Sequence, residues 1–189
     1  WFVEQVEHWR TLAAPLRTDT APSPGDELIL YQVLLGSWPL DQGTDFDGYQ
    51  QRLWQWQQKA LREAKLQSSW SAPNEAYEQG VEAFLSRLLL SEEGHALRTA
   101  IGNAAQAMAP AGALNGLAQS LLRMTVPGVP DLYQGDEFWD FSLVDPDNRR
   151  PVDYSARQQA LATPPDIGEL LFNWRDGRIK QALIAQVLA

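Results

Sequence analysis

The stretch FDGYQQRLWQWQQKALREA, residues 46–64, decides the predicted fold class. Apolar or small side chains recur in it at steps of three and four residues, at Phe46, Tyr49, Leu53, Trp56, Ala60 and Ala64. Such spacing places them on one face of an α-helix, while Gln, Arg and Lys occupy the other face. At its start, Thr44-Asp45-Phe46-Asp47 resembles a capping box, a pattern that begins helices. The stretch therefore predicts a long amphipathic helix that begins near Phe46.

Helical patterns lie on both sides of this stretch. Upstream, an apolar stripe predicts a helix over Val3 to Ala14 that Pro15 ends. Asp26 is a good N-cap for a second helix, Glu27 to Ser37, whose side chains are apolar nearly all round. Downstream, a further helix is predicted to start near Asn74 and to fade at Gly94.

The second half of the chain is also mostly helical in pattern. An Ala-rich stretch from His95 to Ala109 is followed by Pro110 to Gly112, which predicts a break. Apolar steps from Leu114 to Met124 predict another helix, and the helical pattern returns after residue 155. The predicted fold class is accordingly mainly α.

The pattern changes between these helices. A short apolar run, Val129 to Gln134, is bracketed by Pro and Gly and is too brief for a helix, so it predicts a short strand. Pro130 cannot donate a ladder hydrogen bond, although the first residue of a strand tolerates proline. Asp136 to Tyr154 is then predicted to be a long irregular loop, and long ordered loops tend to carry function.

The amino-acid composition limits which classes of partner we expect. Fifteen Lys and Arg against 24 Asp and Glu give a formal net charge of −9, and no basic run could follow a phosphate backbone. We therefore expect no nucleic acid and no anionic membrane as partner, and no apolar stretch approaches the roughly 20 residues of a membrane span. The chain has no Cys, which excludes disulfides and thiolate metal sites and makes a reducing cytoplasm the default location. We expect no cofactor and no metal.

The densest polar constellation follows the predicted strand. Tyr133-Gln134-Gly135-Asp136-Glu137-Phe138-Trp139-Asp140 is followed by Asp145-Pro146-Asp147-Asn148-Arg149-Arg150. Carboxylates, amides and guanidinia can bind vicinal hydroxyls while flat rings cover a sugar face, so this region is a candidate sugar site. In a turn, Asp145 and Arg149 can face the same point. The spacing alone favours the alternative that these charges only stabilise the loop through local ion pairs and Asx turns.

Other candidates are weaker. Asp136 and Glu137 could be a general acid and base pair, but adjacent side chains usually point apart. His8 and His95 are isolated and are predicted to lie on solvated faces. Trp54, Trp56 and Trp70 are predicted to pack within the fold rather than to form a sugar platform.

Two blocks of the sequence resemble a known family. Residues 127–137, PGVPDLYQGDE, resemble the eighth-strand motif of the alpha-amylase superfamily, Gly-x-Pro-x-x-Tyr-x-Gly-x-Glu. Residues 143–153, LVDPDNRRPVD, are similar to the loop that follows it in maltooligosyl trehalose synthases, members of glycoside hydrolase family 13. Upstream, residues 26–39, 59–65 and 69–70 extend the resemblance, which covers most of residues 26–153.

The resemblance implies a (β/α)8 barrel of which this chain is an incomplete piece. It implies a helical subdomain at 1–112 inserted before the last barrel strand, the last barrel helix, strand and substrate loop at 113–155, and helices at 156–189 leading toward a further C-terminal region. The chain opens on Trp1-Phe2-Val3 and closes in an apolar, helix-favouring run, which also indicates a piece of a longer protein. Apolar surface exposed in such a piece could drive self-association.

The resemblance also implies an activity and a set of site residues. The parent enzyme would be a glucosylmutase that turns the reducing-end α-1,4 linkage of a maltooligosaccharide into an α,α-1,1 linkage by retaining transglucosylation. Its catalytic carboxylates would all precede Trp1, so no catalytic residue is expected in this chain. Substrate contacts would come from Asp145, Arg149, Tyr133, Glu137, Trp139 and Asn148. The alternatives are a piece of another alpha-amylase-family hydrolase or transferase, and a helical interaction module without catalysis.

Overall fold

The computed structural model describes residues 1–40, 45–145 and 147–189. Its α-helices are α1 Phe2–Leu12, α2 Pro24–Ser37, α3 Phe46–Ala64, α4 Glu75–Leu90, α5 His95–Thr125, α6 Tyr154–Ala162, α7 Ile167–Phe172 and α8 Arg178–Leu188. Short 3-10 helices lie at Ala14–Leu16, Asp147–Arg149 and Trp174–Asp176. The mainly α prediction is confirmed, and α3 has the bounds that its apolar spacing predicts.

The chain forms two compact units. The first contains Trp1–Ala107 and Ser142–Arg149, and the second contains Met108–Phe141 and Arg150–Ala189. Helix α5 begins in the first unit and ends in the second. Segment 142–149 thus belongs to the unit of the N-terminal helices, although it is distant from them in sequence.

Helix ends follow the chemistry of their caps. Asp45 caps α3 by accepting a hydrogen bond from the Gly48 amide at 3.1 Å. Thr44, the first residue of the predicted capping box, lies outside the described residues. The predicted N-cap of α2 is wrong by three positions, because Ser23 rather than Asp26 accepts the first-turn amide, at 3.2 Å. Pro24 extends the helix upstream since a proline is tolerated in the first helical turn.

The predicted break at Pro110 to Gly112 is also wrong. Helix α5 continues through Pro110, which lies in its interior. A proline there removes one backbone hydrogen bond, at a cost of about 3 kcal/mol, but the flanking alanines have the highest helix propensity and offset part of it. The boundary between the two units, after Ala107, lies within one turn of this proline.

The predicted strand Val129 to Gln134 is not present, and the described residues contain no strand at all. Three features of residues 127–130 account for the absence of the predicted strand. Pro127 and Pro130 have no N–H to donate, Gly128 has a φ of +146°, and Val129 is 98% exposed. A strand also requires a paired neighbour, and none of the described segments supplies a ladder to this one. The segment therefore stays irregular.

The core of the first unit lies between α1, α2, α3, α4 and the start of α5. Its fully buried side chains include Trp9, Leu30, Tyr31, Leu34, Leu53, Phe84, Leu88, Leu97 and Ile101. The rings of Trp9 and Tyr31 meet edge to face, with centroids 5.4 Å apart. Gly94 permits the tight approach of α5 to α4, because a Cβ there would lie 2.1 Å from the Arg87 carbonyl oxygen.

Two buried carboxylates on the helices of this unit are neutralised by arginine. Glu27 binds Arg17 through both oxygens, at 2.6 and 2.7 Å, and also accepts from the Tyr31 hydroxyl. Glu78 binds Arg62 in the same bidentate way, at 2.7 and 2.8 Å, and accepts from Ser68. Arg62 holds the pKa of Glu78 below its ordinary value, against the opposing effect of burial. These pairs allow charged groups to lie within a packed helical unit.

Replacing Leu88 by alanine should destabilise the chain by about 2–5 kcal/mol, because Leu88 is fully buried and its loss leaves a cavity. Leu90→Ala is the matched control, since Leu90 lies on the same helix and is exposed. Urea unfolding of both variants measures the difference. Equal losses of stability would contradict the assignment of Leu88 to the core.

Glu78→Gln should lower the free energy of unfolding at pH 7, and the loss should shrink as the pH falls below the ordinary glutamate range. The folded pKa of Glu78 is depressed, so its ion pair stabilises the fold above the ordinary glutamate pKa of about 4.3 and this stabilisation is lost as the pH falls through the folded value. Urea titrations at several pH values measure the effect. Glu63→Gln, at an exposed position of α3, should show no such pH dependence.

Candidate functional site

The candidate sugar loop is bound to helix α3 by a buried ion pair. We call residues 142–145 and 147–149 the Asp145 loop; Pro146, within the predicted motif, lies outside the described residues. Arg52, on α3, donates from Nε to Asp147 Oδ1 and from Nη2 to Asp147 Oδ2, each at 2.8 Å. Asp147 Oδ2 also accepts from the Leu143 amide at 2.7 Å, and its side chain is 7% exposed. Asp147 therefore closes the loop on itself and fixes it to the helix.

A second cation on α3 contacts the same loop. Lys59 lies two turns after Arg52, so both side chains share one helix face. Its Nζ donates to the Asp145 carbonyl oxygen at 3.0 Å and lies 3.6 Å from Asp145 Oδ2. Both the backbone and the side chain of Asp145 are thus held near α3.

Asp145 and Arg149 converge, as their spacing predicts. The 3-10 helix Asp147–Arg149 places Arg149 Nε 2.6 Å from Asp145 Oδ1. The contact is a close ion pair without the alignment of a hydrogen bond, and both side chains reach solvent, at 40% exposed for Asp145 and 70% for Arg149. Next to them, Asn148 Oδ1 is buried and accepts no hydrogen bond from the described residues. Exposed guanidinium and carboxylate groups side by side can bind vicinal hydroxyls.

The other three predicted substrate residues lie in the second unit. Tyr133 is half-exposed. Glu137 Oε2 accepts from Arg157 Nε at 3.1 Å, and the Trp139 indole donates to the Trp174 carbonyl oxygen at 2.6 Å. The structure therefore brings Asp145, Asn148 and Arg149 together in the first unit and places Tyr133, Glu137 and Trp139 in the second.

Arg157 organises the loop around Glu137, a role that its sequence position does not suggest. Its guanidinium donates to Glu137, to the Gly135 carbonyl oxygen at 2.5 Å and to the Asp153 carbonyl oxygen at 3.0 Å, and it lies over the Phe138 ring. Gly135 has a φ of +87°, a backbone conformation that glycine adopts most readily. In this structure Glu137 supports the loop.

Asp136 and its neighbour Glu137 have different partners. Burial raises the pKa of Asp136, and the charges of Asp140 and Glu137 act in the same direction, while Lys180 opposes them. Burial lowers the pKa of Lys180, whose Nζ donates to the Phe138 carbonyl oxygen at 3.3 Å. Because Glu137 pairs with Arg157, the contacts do not support an Asp136–Glu137 acid and base pair.

The remaining candidates have structural explanations. Trp54 and Trp56 pack against the core, as predicted. Trp70, also predicted to pack within the fold, is instead 56% exposed, with Arg62 4.9 Å from its ring centroid. His8 and His95 are exposed, as predicted. In the part of the chain that the structure describes, no three His, Asp or Glu side chains form a possible metal site, and no helix combines the length and apolar character that crossing a membrane requires.

Sequence comparison finds relatives with one common name. Two Mycobacterium tuberculosis proteins, from strains H37Rv and CDC 1551, carry the name maltooligosyl trehalose synthase and are 43% identical to this chain over 144 residues. The match covers 75% of this chain and 18% of each relative, so the chain spans less than a fifth of their length. No family model matches the chain.

Structure comparison agrees with the sequence match. A Sulfolobus tokodaii protein described as a maltooligosyl trehalose synthase is similar over 99% of this chain and 24% of its own, with a TM-score of 0.78 and 31% identity. The Arthrobacter ramosus maltooligosyltrehalose synthase is similar over 96% of this chain and 23% of its own, with a TM-score of 0.70 and 30% identity. The similarity thus extends beyond the segment aligned in sequence to nearly the whole chain.

Arg157→Leu should destabilise the second unit more than Glu137→Gln. The leucine variant loses donors to two carbonyl oxygens as well as the ion pair, which predicts a loss of about 1–3 kcal/mol, whereas the half-buried ion pair alone contributes about 1 kcal/mol or less. Hydrogen exchange of amides 135–141 measures the effect. Arg175→Leu, at an exposed position, is the control; a larger effect of Glu137→Gln would contradict the role of Arg157.

Proposed function

This chain matches one segment of the maltooligosyl trehalose synthases in sequence and in fold, and we propose that it contributes substrate contacts to such an enzyme. The substrate of the proposed reaction is a maltooligosaccharide. Its reducing-end α-1,4 linkage is converted into an α,α-1,1 linkage, so that the product ends in a trehalose unit. Residues 1–112 form, in this proposal, a helical subdomain of the enzyme.

The ion pair of Asp145 and Arg149 is the observation that carries the proposal. Its members lie at the surface of a loop that α3 fixes through Arg52 and Lys59. The Asp145 carboxylate can accept from one sugar hydroxyl, and the exposed Arg149 guanidinium can donate to the next. Asn148 lies between them in the sequence of the loop, with its Oδ1 buried. In this proposal Asp145, Asn148 and Arg149 bind one glucose unit of the substrate.

Tyr133, Glu137 and Trp139 complete the proposed set of substrate contacts. Tyr133 is the most available of them because it is half-exposed. Glu137 and Trp139 already have protein partners, in Arg157 and in the Trp174 carbonyl oxygen. For these two the proposed substrate contact is the weaker one, because their hydrogen-bonding groups already bind the protein.

The proposed chemistry requires carboxylates that we place in the part of the enzyme that this chain does not match. In a retaining double displacement, one carboxylate attacks the anomeric carbon, and the terminal glucose leaves with a proton from a general acid. That glucose then attacks the glycosyl-enzyme through its own anomeric hydroxyl and returns a proton to the same residue. The role of this chain is to hold the sugar, and it is proposed to be inactive alone.

A helical interaction module without catalysis is the second candidate. The first unit favours it, because the core of this unit is built almost entirely from residues 1–107 and carries its own buried ion pairs. In that case the Asp145 loop would be part of the scaffold. The two candidates differ in their response to maltooligosaccharide.

The test uses a chimera in which this chain replaces the matching segment of the Mycobacterium tuberculosis relative. With maltopentaose as substrate, the chimera should remove reducing ends without releasing free glucose as the main product, and this chain alone should remove none. Asp145→Ala and Arg149→Ala should each raise KM about 10- to 100-fold, because a hydrogen bond to a charged group contributes about 1.5–3 kcal/mol.

The chimera experiment has one control variant and three outcomes that would contradict the proposal. Arg10→Ala, at an exposed position of α1, should leave KM unchanged. Release of reducing glucose as the main product would indicate a hydrolase of the same superfamily. Unchanged KM in both loop variants would favour the interaction module, and activity of this chain alone would contradict the placement of the catalytic carboxylates.

A further inference from the structure

We propose that Arg52 is a positioning residue, which holds the Asp145 loop in the conformation that binds sugar without contacting the sugar itself. The inference rests on the proposed function, since it concerns the same loop. It adds a residue of helix α3, 93 positions before Asp145 and far outside the loop motif, to the substrate site.

The geometry of the Arg52 contact suits a positioning role. Both carboxylate oxygens of Asp147 accept from one planar guanidinium, at 2.8 Å each, so the side chain of Asp147 can neither rotate nor shift without breaking a bond. The same carboxylate accepts from the Leu143 amide at 2.7 Å. Arg52 therefore restrains Asp147 directly and Leu143 through Asp147.

The position of Arg149 depends on this contact. Asp147 and Arg149 belong to one 3-10 helix of three residues, so a change in the backbone at Asp147 would also move Arg149. The Asp145 carboxylate lies between Lys59 and Arg149, and the Arg149 side chain is 70% exposed. The backbone that Arg52 restrains is therefore one of the determinants of their mutual geometry.

Lys59 contributes a second contact from the same helix face. It donates to the Asp145 carbonyl oxygen at 3.0 Å, which restrains the backbone at the other side of the turn. Its Nζ also lies near the Asp145 carboxylate, 3.6 Å from Oδ2, while Arg149 lies near Oδ1. Helix α3 thereby sets where the loop carboxylate lies, and Arg52 makes the larger and more buried of the two contacts.

The chain offers a closely matched control. Arg62, on the same helix, forms an equally bidentate pair with the buried Glu78, at 2.7 and 2.8 Å, and Glu78 lies on α4 rather than in the Asp145 loop. Arg52→Met and Arg62→Met each leave one buried carboxylate without its arginine. They differ in whether that carboxylate belongs to the loop.

The first measurement is maltopentaose conversion by the chimera carrying each variant. Arg52→Met should raise KM at least 10-fold and leave kcat within about threefold, and Arg52→Lys should restore part of the loss because lysine supplies a charge but no planar pair of donors. Arg62→Met should leave KM unchanged. The inference is overturned if Arg52→Met leaves KM unchanged, or if Arg62→Met raises KM as much.

The second measurement needs no activity and uses this chain alone. The Leu143 amide, which donates to Asp147, should exchange its hydrogen at least 10-fold faster in Arg52→Met than in Arg62→Met. Equal exchange in the two variants would overturn the inference. If Asp145→Ala and Arg149→Ala raise KM while Arg52→Met does not, the inference fails and the proposed function stands; if none of the three raises KM, both fail.

Discussion

The pair of Arg52 and Asp147 is the contact on which the candidate site depends. It joins residues 95 positions apart and assigns segment 142–149 to the unit of the N-terminal helices. Removing two charges from water is costly, and the cost is offset here because three N–H groups converge on one carboxylate at 2.7–2.8 Å. A buried pair adds little net stability, but removing one partner costs about 3–5 kcal/mol, so conformations of the loop that break the pair are disfavoured. A sugar site requires one loop conformation, since its hydrogen bonds depend on atoms placed within a few tenths of an ångström.

The sequence predicts well what depends on neighbours along the chain. The apolar spacing of 46–64 gives α3 its bounds, and the four-residue separation of Asp145 and Arg149 gives their convergence, because both patterns are local consequences of backbone geometry. The family resemblance likewise reaches the correct relatives through two loop blocks. Arg52 carries no such signal. Nothing in a helix face of Gln, Arg and Lys indicates which cation binds a carboxylate 95 residues later.

The wrong predictions at Pro110 and at Val129 to Gln134 also have local causes. Pro110 predicts a break because an isolated helix would end there, yet the helix continues through it, and the surrounding alanines have the highest helix propensity. Val129 to Gln134 predicts a strand because its composition suits one. A strand, however, is stable only with a partner, and the partner cannot be seen in the six residues themselves. Helices satisfy their own backbone hydrogen bonds and strands do not, so composition predicts the first more safely than the second.

The two units use their polar groups differently, and this difference narrows the candidate site. In the second unit, Glu137 binds Arg157 and the Trp139 indole binds a carbonyl oxygen, so the groups most suited to a sugar already support the loop that carries them. In the first unit, that support comes from separate residues, Arg52, Lys59 and Asp147, and Asp145 and Arg149 keep their exposed faces. A binding residue must keep hydrogen-bonding capacity free of the fold. By that criterion the Asp145 loop is the stronger candidate for the sugar site. The contacts that support it, from Arg52, Lys59 and Asp147, are partly or fully buried, so a search for exposed polar residues would not find them.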